Sequence, residues 1–259
     1  MEVINKYEKK RVLAMALFAG EIMLKNGAET YRVEDTIIRI CKSRGLSSVS
    51  AFVTPTVIMI GDDRSDGYSF VKSIHNRTTN LEKVSLVNEL SREFVNKDVT
   101  VDGAYRQLKL ISVTKPYNKV IRLVSCGVGS SMFAYLFGGD IWDMLCGFII
   151  SMIATEIGVK LSEYEVNLFL SNALCSMAIG VLALAFYNLG LGSNLDMIIA
   201  SSIMPQLPGF SLTNGIRDFI AGDLLSGLSR AFEAILIAVA IAVSIGSVLS
   251  LYYKLGGII

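Results

Sequence analysis

Histidine, tryptophan and proline are all scarce in these 259 residues: one His, one Trp and four Pro. The single histidine, His75, closes an expected strand, and with no HExxH and no paired ligand spacing the chain lacks the pattern of a zinc hydrolase. No Walker-type glycine loop occurs, so work driven directly by ATP through this chain is not expected. The four cysteines, Cys41, Cys126, Cys146 and Cys175, include no CxxC pair, and three lie in apolar segments. That pattern points to free buried thiols rather than disulfides or a metal site. The GDDRSDG run from Gly61 lacks the spacing and terminal Glu of a calcium loop and reads as an acidic hairpin turn. No cofactor, no metal, no nucleic-acid partner and no enzymatic activity are expected.

Charge is scarce in one half only. About 19 of the 24 basic and 14 of the 23 acidic residues precede Val120. The first half has the charge density of a soluble domain, and the second is a run of apolar segments long enough to cross a bilayer. Met1 to Arg11 is charged and the next apolar run is amphipathic, unlike a secretory signal, so the first half should stay on the side where it is made. Apolar residues recur at helical spacing from Asn5 to Asn26, stopped by Gly27, and again from Thr30, a candidate N-cap, to Gly45. Ser48 to Ile60 and Tyr68 to Ile74 read as the two strands of a hairpin, with Pro55 marking an edge or a bulge. Leu81 to Phe94 and Ala104 to Val113 read as two further helices.

Residues 1–114 therefore form an expected α+β domain, and 115–259 a membrane domain. Five crossings are expected, at about Val120–Gly138, Asp140–Gly158, Val166–Tyr187, Leu195–Thr213 and Ala231–Tyr253. The fold class is an α-helical integral membrane protein with about five transmembrane helices, one of them broken, and an N-terminal α+β domain. Lys160, Arg217 and Arg230 fall on the same side as the basic first half, so the positive-inside rule places residues 1–114 in the cytoplasm and the C-terminus outside. Trp142, Tyr187, Tyr252 and Tyr253 sit at the expected boundaries, as interfacial aromatics do.

Two of the four prolines, Pro205 and Pro208, stand three apart and lead into Gly209, so no continuous helix should run through them. Lipid cannot satisfy broken backbone, and broken helices are where secondary transporters hold substrates and coupling ions. Pro205, Gln206, Pro208 and Gly209, followed by Thr213, Asn214, Arg217, Asp218, Asp223, Arg230 and Glu233, are thus candidate pathway residues. The stretch from Ile216 to Glu233 reads as helical and puts Asp223, Gly227 and Arg230 on one face, either a solvated face or a gate where Arg230 meets an anionic group.

Other polar residues fall within the crossings. On the second, Asp143, Gly147, Ser151 and Thr155 make one row, with Glu156 beside it; on the third, Asn172, Ser176 and Gly180 do the same. The row Ala234, Ala238, Ala242, Gly246 and Ser250 is assigned to packing. Asp143 and Glu156 either face a partner or wet cavity or sit at the interface, and with Asp218 they are candidate proton carriers. In the first half, Glu29, Arg32 and Asp35 lie within one turn: a cap with surface ion pairs, or a candidate cytoplasmic regulatory site.

The segment MPQLPGFSLTNGIRDFIAGDLLSGLSRAFEA from Met204 resembles the membrane signature of the threonine/serine exporter family, through its Pro-x-x-Pro-Gly, Thr-Asn-x-Ile-Arg-Asp and Gly-Asp…Gly…Arg…Glu elements. AGEIMLKNGAETYRVEDTIIRI from Ala19, VTPT around Pro55 and NLEKVSLVNELSRE from Asn80 are similar to that family's cytoplasmic domain, so the resemblance covers nearly the whole chain. It implies a multi-pass secondary transporter of a bacterial or archaeal cell (inner) membrane that exports small hydrophilic metabolites. Threonine and serine are implied for fused members, and succinate-like dicarboxylates for a split pair. Fused members carry a second membrane module, whereas this sequence stops at Ile259 after about five crossings, similar to the large subunit of the split type. The expected partner is a small membrane subunit, or a second copy in a homo-oligomer. The resemblance implies Pro205, Pro208 and Gly209 as the break, Thr213 and Asn214 as neutral hydrogen-bonding groups, and Arg217, Asp218, Asp223, Arg230 and Glu233 as pathway or gate charges. The alternative is a membrane-anchored sensor, regulatory or hydrolase-like cytoplasmic domain. An anchor, however, needs neither a double-proline break nor acids within its crossings.

Overall fold

The computed structural model describes residues 6–63, 68–75, 77–97, 99–115 and 117–256, and the chain forms two compact units. One comprises Met1–Pro116 with Ser211–Ala231, the other Tyr117–Phe210 with Phe232–Ile259.

The first unit is built round α1 (Lys6–Lys25). Val12, Leu13, Met15, Ala16, Ala19, Met23 and Leu24 are all buried, a wider stripe than an amphipathic surface helix carries. The reason is that α2 (Thr30–Ser43), a three-stranded sheet, α3 (Leu81–Asn96) and α4 (Val101–Ser112) all pack against it. Gly20 lets α2 approach, since a β-carbon there would lie 2.7 Å from Ile37 Cδ1. Gly27, at φ +96°, ends α1. Asn80 and Thr100 cap α3 and α4 through side-chain oxygens that accept from Lys83 N and Gly103 N.

The sheet has order β1 (Val49–Thr54), β2 (Val57–Asp62), β3 (Ser69–Ser73), all antiparallel. The expected first strand is therefore itself a hairpin. Thr54 stands opposite Val57 and its Oγ1 accepts from Val57 N at 3.2 Å, so Pro55 belongs to a two-residue turn rather than a bulge. Most of the expected acidic turn, residues 64–67, lies outside the described residues.

In the second unit, α5 (Lys119–Leu136), α6 (Ile141–Glu163), α7 (Leu168–Asn188) and α8 (Leu195–Ile203) are each capped by a polar side chain: Asn118, Asp140, Asn167 and Asn194. After α8 come one 3-10 turn, Met204–Gln206, then α9 (Gly209–Ala221) and α10 (Leu224–Lys254). The helix thus breaks at the two prolines. The expected single pattern from Ile216 to Glu233 is interrupted as well: Gly222 adopts φ +94°, and α10 starts ahead of the expected Ala231. Among the described residues, α6, α7 and α10 are long and apolar enough to cross a membrane. Only 28%, 39% and 33% of their most apolar stretches are buried, so most of that surface needs a non-aqueous neighbour. At nine residues α8 would span only about 14 Å.

Cys146, Ile150, Ile179, Ala183, Ile198 and Ile241 form the core of this unit. Beside it, the buried Ser130 Oγ lies 3.0 Å from Gly147 O and 2.9 Å from Ser201 O, drawing α5, α6 and α8 together. A β-carbon on Gly147 would lie 2.7 Å from Ser201 Oγ and 3.2 Å from Ser130 Oγ. Gly147→Val should therefore destabilise by about 1–3 kcal/mol, read as a lower melting temperature in detergent. Gly129→Ala, whose new carbon meets nothing within 4 Å, should leave it unchanged.

Candidate functional site

Two short sequences far apart in the chain meet inside the first unit. Gly27 to Thr30 joins α1 to α2, and α9 with the start of α10 supplies the other wall. Thr30 is not the N-cap the sequence offers. It is the first helical residue of α2, Glu29 holds the cap position without a side-chain cap bond, and the acceptor comes from 188 residues away. Thr30 N donates to Asp218 Oδ1 at 3.1 Å, which places a carboxylate at the helix N-terminus where the dipole favours it. Thr30 Oγ1 donates to Asp223 Oδ2 at 3.2 Å.

Around that bond the remaining polar groups close the contact. Asn214 Nδ2 donates to Gly27 O at 3.0 Å, and an Arg230 guanidinium nitrogen to Ala28 O at 2.9 Å. Arg230 Nε stands 3.1 Å from Asp218 Oδ2, an ion pair whose side chains are 6% and 0% exposed. Arg217 pairs with Glu29 at 2.7 Å, and Arg32 stands 3.4 Å from the other Glu29 oxygen. The helices can meet here because two glycines face each other. A β-carbon on Gly215 would lie 3.2 Å from Gly227 O, and one on Gly227 would lie 2.9 Å from Gly215 O.

α9 is an amphipathic helix turned inside out. Its buried residues are Asn214, Gly215 and Asp218, while Ile216 and Ile220 are 52% and 82% exposed. Its fully buried positions are glycine or hydrogen-bonded polar residues, with Phe219 packing on Gly227 beside them.

Four carboxylates crowd the site against three guanidiniums. Burial pushes Glu29 up, but its own backbone N–H, the Arg217 hydrogen bond and the charges of Arg32 and Arg217 outweigh that and hold it below the ordinary carboxylate value. Glu34, whose Oε1 accepts from Val53 N at 2.8 Å, goes the other way: burial raises it, Val53 N–H opposes, and the charges of Asp223 and Asp218 add to the rise. A raised carboxyl opposes folding above its ordinary pKa, and that cost disappears as pH falls through the folded-state value. Glu34→Gln, which keeps the acceptor for Val53, should melt higher than the parent at pH 7 and alongside it below about pH 4. A variant less stable at both pH values would rule out charge crowding.

The other residues singled out from the sequence are placed as follows by the fold. Asp35 pairs with Arg39 at 3.3 Å, so the triplet Glu29, Arg32 and Asp35 divides between two partners. Thr213 is exposed on α9, and Glu233 is half-buried on α10. In the second unit, Asp143 forms a capping box with Asp140 and accepts from Ser193 N at 2.8 Å and Asn194 N at 2.9 Å, closing the loop before α8. Glu156 pairs with Lys119 at 2.6 Å, about 20 Å along α6 from Asp143, so the two acids serve separate places. Asn172 Nδ2 donates to Leu168 O of its own helix. Pro205 lies in the 3-10 turn, Pro208 precedes Gly209 at the start of α9, and Gln206 Oε1 accepts from Ser176 Oγ at 2.9 Å. Sequence reading missed Thr30, Glu34 and Ser226 as members of the docked cluster; Ser226 Oγ reaches Val53 O at 3.3 Å across 173 residues, for which no local signal exists.

A family model described as "Putative threonine/serine exporter" matches residues 14–252. The "Probable threonine/serine exporter" of Mycobacterium tuberculosis is 21% identical over 246 residues, covering 93% of this chain and 46% of its own length. The "Probable succinate transporter subunit YjjP" of Escherichia coli is 22% identical over 249 residues, with 95% and 96% covered. The "Threonine/serine exporter" of Corynebacterium glutamicum is 23% identical over 244 residues, with 91% and 50% covered. The chain thus spans about half the length of the two exporters and nearly all of the succinate transporter subunit. No solved structure matches.

Proposed function

The chain belongs to the threonine/serine exporter family, and from that membership we propose that it is the large subunit of a two-component secondary transporter that exports small hydrophilic metabolites. The observation that carries the two-component reading is the match to the Escherichia coli protein named as a probable succinate transporter subunit, in which 95% of this chain aligns with 96% of that subunit. The substrate is a dicarboxylate such as succinate, or threonine and serine. Five crossings in residues 115–259 hold the N-terminal domain, residues 1–114, in the cytoplasm, with the C-terminus outside. A small membrane subunit, or a second copy of the chain, covers the apolar and polar faces that five helices cannot bury among themselves.

The docked cluster acts as the cytoplasmic gate. Gly27–Thr30 is held to α9 and α10 by hydrogen bonds and ion pairs, Glu29 with Arg217 and Asp218 with Arg230 among them. Polar contacts of that kind can exchange their partners for water when they part. Of the three candidate proton carriers, Asp143 closes a loop and Glu156 pairs with Lys119, both in the second unit, whereas Asp218 holds Arg230 and Thr30 N within the docked cluster, so Asp218 is the acid whose protonation would loosen the gate.

Uptake of labelled succinate, threonine and serine into inverted membrane vesicles tests the reading, with the chain expressed alone and with a small-subunit candidate. Uptake that needs both chains is expected, and the label that moves identifies the substrate. No uptake of any label, with both proteins folded in the membrane, would return the sensor and hydrolase readings.

A further inference from the structure

Ser202 near the end of α8 lies four residues before Gln206 in the 3-10 turn, Gln206 is bonded to Ser176, and Ser202 and Gln206 each carry a polar atom that no described residue satisfies. Buried polar groups in folded proteins almost always find partners, so each exception calls for a reason. Ser202 is 1% exposed, and its hydroxyl has no hydrogen-bond partner among the described residues. The neighbouring hydroxyls behave differently: Ser151, Thr155 and Ser201 all bond to a carbonyl three or four residues back. Gln206 Nε2 is likewise buried and unpaired, while its Oε1 accepts from Ser176 Oγ at 2.9 Å, and Ser176 is fully buried. Reversing the Gln206 amide would leave its oxygen unpaired instead, so one unpaired end persists in either orientation.

These side chains sit where the backbone leaves the helix. α8 ends at Ile203, Pro205 contributes no N–H, and Leu207 is extended at φ −61°, ψ 135°. Irregular backbone at membrane depth is tolerated where it lines a cavity. The Gln206 amide and the Ser202 hydroxyl both offer protons, and both are neutral.

We propose that Ser202 and Gln206, with Ser176 orienting the Gln206 amide, form a substrate subsite that donates hydrogen bonds to a carboxylate oxygen, the group that succinate, threonine and serine share. The inference rests on the exporter reading, and it places the carboxylate at two neutral donors at the helix break rather than at Arg217, which Glu29 holds.

An unpaired buried hydroxyl gives the fold nothing, so Ser202→Ala should melt at or above the parental temperature. It should raise the KM for whichever label the parent transports by about three- to ten-fold, the worth of one neutral hydrogen bond, and Gln206→Leu should act in the same direction. A KM unchanged in both variants overturns the proposal. Thiol labelling decides the matter even if the parent moves no label. Ser202→Cys is placed in the chain with Cys41, Cys126, Cys146 and Cys175 replaced, and treated in membranes with a small aqueous thiol reagent. Reaction slowed by excess succinate, threonine or serine supports the subsite even where the exporter reading has failed. A thiol that is inert, or that none of the three protects, overturns it.

Discussion

Asp218→Ala is expected to cost the first unit about 3–5 kcal/mol, because it removes one member of a buried ion pair and takes from the buried Arg230 guanidinium the carboxylate at its Nε. Asp218 is wholly buried between Arg230 Nε and Thr30 N, both at 3.1 Å, so the same change also takes the carboxylate from the start of α2. That second loss adds about 1 kcal/mol, the usual worth of a helix cap. For a protein whose total stability is of the order of 5–15 kcal/mol, the melting temperature in detergent should fall by roughly 10 °C. Asp218→Asn, which still accepts from Thr30 N, should lose less. The double variant Asp218→Leu with Arg230→Met should recover much of the stability, since two matched apolar side chains replace a desolvated pair at little cost. It should not recover transport if the pair is the gate. An unchanged melting temperature in Asp218→Ala would show that the pair does not hold the unit together.

Much of the fold was legible because its signals are local. Apolar residues at helical spacing marked α1 and α3, and Gly27 ends α1 by its own φ; the caps Asn80, Asn118, Asn167 and Asn194 went unread, and the one cap offered, Thr30, is the first helical residue instead. Where local signals competed, the reading slipped. The run from Ser48 to Ile60 has strand-forming residues on both sides of Pro55, so a turn of only two residues passed as an irregularity within one strand. The apolar pattern from Ile216 to Glu233 is helical on both sides of Gly222, and the Gly-Asp pair is the turn signal that could have divided it.

The candidate site divided along the same line. Arg217, Asp218, Asp223 and Arg230 stand out because charge is rare in that half of the chain, and Asn214 because it follows the double-proline break. Their partners were not legible, since Gly27 and Thr30 look from the sequence like an ordinary helix stop and start, and Glu29 groups with Arg32 and Asp35 as a separate candidate regulatory site. Only the fold supplies the acceptor for Thr30 N, and only the fold turns the polar side of α9 inward. A candidate N-cap with a vacant acceptor role and a buried acid with no local base are two halves of one observation.

The Glu29–Arg217 pair separates a latch from a substrate ligand. Arg217 is 57% exposed on its side chain, so the pair should contribute at most about 1 kcal/mol to stability, and neither Glu29→Gln nor Arg217→Gln should shift the melting temperature much. Transport is where the effect belongs. If the two side chains latch the gate at 2.7 Å, each neutral variant should lower uptake into inverted vesicles about ten-fold, and the double variant should be no worse than either single one. Two residues acting through one contact can lose it only once. If Arg217 instead held the substrate while Glu29 served Arg32 and the start of α2, the two losses would be independent and would multiply towards about a hundred-fold. The geometry favours the latch, because Glu29 is nearly buried and holds the guanidinium by a charge-assisted bond that a substrate carboxylate would first have to break.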